Sequence, residues 1–120
     1  SKKNSGASLA VSIVSDAEMI KLNSKWRGKN AVTDVLSFSY DEKAFAPAAP
    51  HKEHPLGDLV ICLQQVARQA KLIGRSVRDE FALMIVHGTL HLLGFDHETT
   101  AGERKMFSLQ QDILIRAGIL

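Results

Sequence analysis

One stretch constrains this chain more than any other: Val86-His87-Gly88-Thr89-Leu90-His91-Leu92-Leu93-Gly94-Phe95-Asp96-His97. With helical geometry, His87 and His91 lie one turn apart on the same face, so two imidazoles can converge on one metal ion. Gly94 stops the helix, because a glycine past the last turn can take the left-handed conformation that reverses the chain. The reversal lets His97 swing back as a third nitrogen ligand. Three such ligands leave a fourth tetrahedral position open, as in catalytic rather than structural zinc sites, where it holds a water acidified to a pKa near ~7. Zinc is the expected ion, although nickel, copper or iron suit the same nitrogens.

The spacing His-x3-His-x2-Gly-x2-His is also the metal-binding half of the metzincin protease signature, H-E-x-x-H-x-x-G-x-x-H. One residue breaks the match. Gly88 stands where the general-base glutamate belongs, so the proton acceptor for peptide hydrolysis is gone while the ligands remain. A lone histidine on an apolar helix is ordinarily a satisfied core residue, but three at a convergent spacing favour a metal. Asp96, beside the third ligand, has three readings: it holds a ligand's free ring N–H, it moves a proton for the bound water, or it caps the residues after the turn.

At 120 residues and 45% hydrophobic content, residues 1–120 are expected to form one domain with a real core. No apolar run approaches the ~18 residues of a membrane-spanning helix, and Ser8 to Val14 is too short and mixed for a secretory core. The single cysteine, Cys62, cannot form an internal disulfide, so no disulfide-linked partner is expected and the cytoplasm is the expected location. A net charge of +2 does not by itself call for nucleic acid. The distribution is more informative, since Lys21, Lys25, Arg27 and Lys29 fall together without an intervening acid, and Arg68, Lys71, Arg75 and Arg78 form a second basic run. Each run is either a track for phosphates or a pair of solvated helix ends.

Along the chain, Leu9–Val14 alternates as a strand with Leu9, Val11 and Ile13 on one face. Ser15 and Glu18 form a capping box that opens a helix over Asp16–Trp26, with Met19, Ile20, Leu22 and Trp26 inward and Gly28 as its stop. A strand over Val35–Tyr40 places Leu36, Phe38 and Tyr40 together, and Asp41–Pro55 reads as a long surface loop in which His51 and His54 are exposed. Gly57–Cys62 is apolar enough to be a central strand. A helix over Leu63–Leu72 turns Leu63, Val66, Ala67 and Ala70 inward and ends at Gly74. Ser76 caps the metal helix, with Asp79 and Glu80 in its first turn and apolar residues on most sides, which predicts the buried centre of the domain. Thr100 and Glu103 repeat the capping box at the start of a helix carrying Met106, Phe107, Ile113 and Leu114 up to Gly118. Strands interleaved with helices predict an α+β fold, a small mixed sheet packed with helices around a central metal-binding helix that bears the metzincin-like zinc motif.

His87-Gly-x-Leu-His-Leu-x-Gly-x-Asp-His97 resembles the signature of the YbeY family, metal-dependent endoribonucleases that mature ribosomal RNA in bacteria and organelles. Two further stretches agree: Arg27-Gly28-Lys29 leading to Thr33-Asp34-Val35-Leu36-Ser37-Phe38, and Leu56-Gly57-Asp58-Leu59-Val60-Ile61. Phe95 replaces a usual tyrosine, Ser39 a frequent proline, and a leading helical segment expected of the family is not found within residues 1–120. The resemblance implies hydrolysis of single-stranded RNA near the 3′ end of the small-subunit ribosomal RNA, with a role in ribosome assembly and quality control. It implies His87, His91 and His97 as ligands of one Zn2+ per chain, His87 also standing in the catalytic set, and Arg27 as the residue that holds a phosphate by paired hydrogen bonds. Lys25 and Lys29 would extend the phosphate track, and the small ribosomal subunit and an Era-type GTPase are the implied partners. Two rivals remain at this level: a metallopeptidase-like hydrolase with its base elsewhere, and a non-catalytic assembly factor whose metal is a clamp.

Overall fold

The chain, a computed structural model describing residues 8–39, 55–95 and 98–119, runs β1 (Ser8–Val14), α1 (Asp16–Arg27), β2 (Val35–Ser39), β3 (Pro55–Cys62), α2 (Leu63–Ile73), α3 (Val77–Leu92) and α4 (Thr100–Arg116). The sheet order is β1-β3-β2, with β1 parallel and β2 antiparallel to the middle strand. This is the small mixed sheet of an α+β fold. The apolar run predicts a central strand, and Leu59, Val60, Ile61 and Cys62 are indeed fully buried on both faces of the sheet. On one face Met19, Leu36, Phe38, Val60 and Cys62 form a cluster with α1 packed against it; on the other, Ile61, Val66 and Met84 join α2 and α3.

Local chemistry sets the helix ends. Ser15 and Glu18 make the reciprocal capping box, Ser76 Oγ accepts from Asp79 N–H, and α3 closes as a Schellman turn. In that turn Phe95 N–H donates to Leu90 C=O and Gly94 N–H to His91 C=O, with Gly94 at φ 100°. Gly94 therefore reverses the chain as expected, although Asp96 and His97 lie outside the described residues.

Several expectations are corrected. Thr99, not Thr100, caps α4, its Oγ1 accepting from Gly102 N–H, so the third helical position is Gly102 and no capping box with Glu103 forms. On β1, Val11 and Ile13 share a face as expected, and that face is exposed, at 40% and 58%, because β1 is an edge strand and Val14 supplies its contact with the core. Leu63 is exposed because it is the first residue of α2, before the helix face that turns Val66 and Ala70 inward. The last helix carries the four named apolar residues as expected, with Met106 and Leu114 as its buried row and Phe107 and Ile113 exposed. Tyr40, the 41–54 stretch and its His51 and His54 lie outside the described residues.

Two members of the second basic run, Arg68 and Arg75, are structural. Arg68 clamps Asp16 with two bonds of 2.7 and 3.0 Å, joining the start of α1 to α2. The Arg68 guanidinium, and then the Cys62 thiol donating at 3.1 Å, hold the Asp16 carboxyl below its ordinary value of 3.8. A lowered native pKa contributes stability that is present above the unfolded value and lost as pH falls through the native one. Thermal melts of wild type and Arg68→Ala should therefore differ most above pH ~5 and converge below pH ~3, with a small gap because the pair is partly exposed. A gap that persists unchanged at low pH would mean that Arg68 acts by packing alone. Arg75 pairs with Glu80 at 3.2 Å, and the buried Glu80 accepts from Gln69, which also donates to Asp34. Arg68 and Arg75 are thus occupied in tying α1 to α2 and the end of α2 to α3, while Gln69 links α2 to Asp34 just before β2.

Candidate active-site cleft

His87 and His91 project from the last two turns of α3, both half-buried, with ring centroids 4.7 Å apart and edges facing. Their Nε2 atoms stand 3.2 Å from each other. Two nitrogens bound to one tetrahedral ion at bond lengths of about 2.0–2.1 Å lie about 3.3–3.4 Å apart, so this pair is spaced to share a metal. His87 is also oriented from behind: its Nδ1–H donates to Gln110 Oε1 at 3.0 Å, which leaves the Nε2 lone pair facing His91. Metal-bound imidazoles ordinarily have such a partner on the other nitrogen. Among the described residues no cluster of three ligating side chains occurs, and the third expected ligand, His97, lies outside them together with Asp96.

Gly88 is the residue that lets α3 reach this position. A Cβ built there would lie 2.6 Å from Cδ2 of Leu59, itself fully buried in β3. The helix thus rests directly on the sheet between the two histidines. The break from the protease signature coincides with this contact: Gly88 lines the floor of the cleft, and a side chain there would start against Leu59. Farther along, Gly57 at φ 151° sits under Leu92 and against the Phe38 carbonyl, where a side chain has no space.

The imidazoles open onto a cleft of about 530 Å³ whose opposite wall is the end of α1, the 29–34 connection and β2. Arg27 and Lys29 line it with Asp34 and Ser37. The guanidinium of Arg27 is held in place: Nη2 donates to Ser37 C=O at 2.8 Å, and the group lies 4.6 Å from the centroid of the Phe38 ring. A stacked arginine on a carbonyl tether presents its charge to the cleft at reduced entropic cost. Lys25 is not brought in. Its ammonium sits 4.7 Å over the Trp26 ring, because a position two residues before Arg27 points to another side of α1. Arg27, Lys29, His87 and His91 are therefore gathered, while Lys25 stands apart.

The structure adds residues that the sequence did not single out. Asn23, 3% exposed, lines the cleft and donates to Ala31 C=O at 2.9 Å, which braces the segment leading to β2. Its place between Met19 and Trp26 on the inward face of α1 was a signal, since a buried asparagine needs a partner. Gln110 had none, because its link to His87 depends on how α4 packs on α3.

Compared with known proteins, residues 1–118 match the family described as endoribonuclease YbeY. The chain belongs to this family. Among family members named endoribonuclease YbeY, that of Leifsonia xyli subsp. xyli is 44% identical over 112 residues, covering 91% of this chain and 72% of the relative. That of Thermobifida fusca is 45% identical over 109 residues, covering 90% and 70%. The solution structure of TM1509 from Thermotoga maritima superposes with a TM-score of 0.58 at 30% identity, covering 87% of this chain and 63% of that one. The family assignment agrees with the three stretches that resembled it, and all three border the cleft or the strand beneath it.

Proposed function

We propose that this chain is an endoribonuclease that hydrolyses phosphodiester bonds in single-stranded RNA at the cleft between α1 and α3. Family membership supports the RNA-cleaving activity. The observation that carries the site is the pair of facing imidazole nitrogens across from a tethered arginine in one cleft. His87, His91 and His97 would hold one Zn2+ in the metzincin-like arrangement, and another divalent transition metal suits the same nitrogens. When bound, the ion would supply a water acidified to near neutral pH and positive charge beside the phosphate.

The chain's own residues do the rest. Gln110 fixes the tautomer of His87, so the ring offers its lone pair to the cleft. Arg27 holds a phosphate oxygen opposite the imidazoles and stabilises the charge that grows during in-line attack. Lys29 adds attraction for the neighbouring backbone, and Lys25 contributes from outside the cleft. Asp96 supports a ligand rather than acting on substrate. The biological substrate we assign is ribosomal RNA near the 3′ end of the small-subunit species, acting in the cytoplasm in ribosome assembly and quality control, with the small ribosomal subunit and an Era-type GTPase as partners. No helix among the described residues is long and apolar enough to cross a membrane, which is compatible with that setting.

Cleavage of a single-stranded ribosomal RNA fragment, alongside casein as a peptide control, tests this reading. Wild type should cut RNA and leave casein intact. Arg27→Ala should lower kcat/KM by about 10²–10³-fold while melting temperature and metal content stay near wild type, and Arg27→Lys should recover only part of the loss. Casein cleavage would favour a peptidase. RNA cleavage indifferent to Arg27 would remove that residue from the site, and no cleavage with or without ribosomal particles would leave a metal-clamped assembly factor.

A further inference from the structure

Behind the imidazole of His87, on the side away from the cleft, lies a second cavity of about 260 Å³ between α3 and α4. Its walls are His87, Glu103, Met106, Phe107 and Gln110. Two features distinguish it from a packing defect. Phe107 is 59% exposed on the face of α4 that borders the cavity, although a large aromatic in solvent gains nothing for the fold. The apolar floor, the buried Met106, is met by two polar side chains, the carboxylate of Glu103 and the amide of Gln110.

We propose that this cavity is a nucleobase subsite, which takes the base of a nucleotide flanking the scissile phosphate and favours bases with an exocyclic amino group over uracil. The inference rests on the single-stranded RNA reading of the cleft. His87 belongs to both cavities, so a strand whose phosphate lies at the imidazoles has a neighbouring base within reach of the second one. Glu103 repels a phosphate there, which leaves the base as the part of the strand that enters. A flat, apolar face is what Phe107 and Met106 can hold, and stacking of bases on aromatic side chains is the common mode for single strands. Glu103 accepts hydrogen bonds only, so it matches the exocyclic amino groups of adenine, cytosine or guanine, whereas uracil offers it a single N3–H flanked by two carbonyl oxygens that repel the carboxylate. Recognition of this kind also explains why the exposed aromatic and the acid sit one helical turn apart at positions 103 and 107.

A set of single-stranded RNAs with one abasic nucleotide walked across the cleavage site tests the proposal. One position should raise KM by about five- to a hundredfold with little change in kcat. Phe107→Ala should give a similar rise on the intact strand, Phe107→Trp should restore binding, and the abasic and Phe107→Ala losses should not add. With uridine at that position wild type should cut more slowly, and Glu103→Gln should narrow the difference. Additive losses, or an abasic walk in which no position interacts with Phe107, overturn the subsite while RNA cleavage itself stands. A wild-type protein that cuts none of these strands overturns both readings together.

Discussion

His91→Ala should lose its metal and its RNA cleavage together while remaining folded. Elemental mass spectrometry on purified wild type should find about one transition-metal ion per chain, and on the variant close to none. The argument is geometric: the two Nε2 atoms, 3.2 Å apart, are spaced for one ion, and removing one leaves His87 with no neighbour on α3 to share it. Without the ion, the attacking water returns from a pKa near ~7 toward that of bulk water, and cleavage should fall by at least ~10³-fold. His91 is only half-buried near the end of α3, so truncation should cost little in the apo fold. A variant that keeps its metal would show that His91 is not a ligand. A variant that loses the metal but still cuts would separate the metal from the chemistry.

Restoring the missing glutamate should not restore a protease. Gly88→Glu starts a side chain where a Cβ alone already lies 2.6 Å from Leu59 Cδ2, at a buried position on the floor of the cleft. Gly88→Ala isolates the steric part. Overpacking a filled core costs typically 1–3 kcal/mol, against a gain of about 1 kcal/mol for alanine over glycine within a helix, so alanine should be destabilising by at most about 2 kcal/mol. Glutamate adds the burial of an unpaired charge and should lower the melting temperature by more than ~10 °C or leave the protein insoluble. Calorimetry of the two variants decides this. Unchanged melting temperatures would mean that α3 can lift from the sheet at no cost, and casein hydrolysis by Gly88→Glu would mean that the side chain reaches the cleft after all.

What could be read from the sequence was mostly what a single helix or strand determines for itself. The pairing of His87 with His91 follows from helical spacing, the turn at Gly94 from its freedom at positive φ, and the middle place of β3 from the apolar run Leu59–Cys62. What escaped depends on contacts between elements. Nothing local to Gln110 announces its bond to His87, and nothing in the run Arg68 to Arg78 shows that Arg68 and Arg75 are committed to Asp16 and Glu80. Lys25 and Lys29 look alike as letters, but one lies over Trp26 and the other lines the cleft, because α1 ends between them. The sheet order was equally hidden, since β1 and β2 both pair with a strand that comes later in the chain.

The two glycine contacts beneath α3 set how the site responds to heat and to change. Gly88 rests on Leu59 of β3 and Gly57 lies under Leu92, while the opposing guanidinium is tied to Ser37 and stacked on Phe38 of β2. Both jaws of the cleft are therefore gauged from the same antiparallel strand pair, like two arms bolted to one plate. Fraying of α4 would release the His87 ring from Gln110 without moving the backbone contacts that set the gauge. The spacing between imidazoles and arginine should hold until the β2–β3 ladder itself gives way.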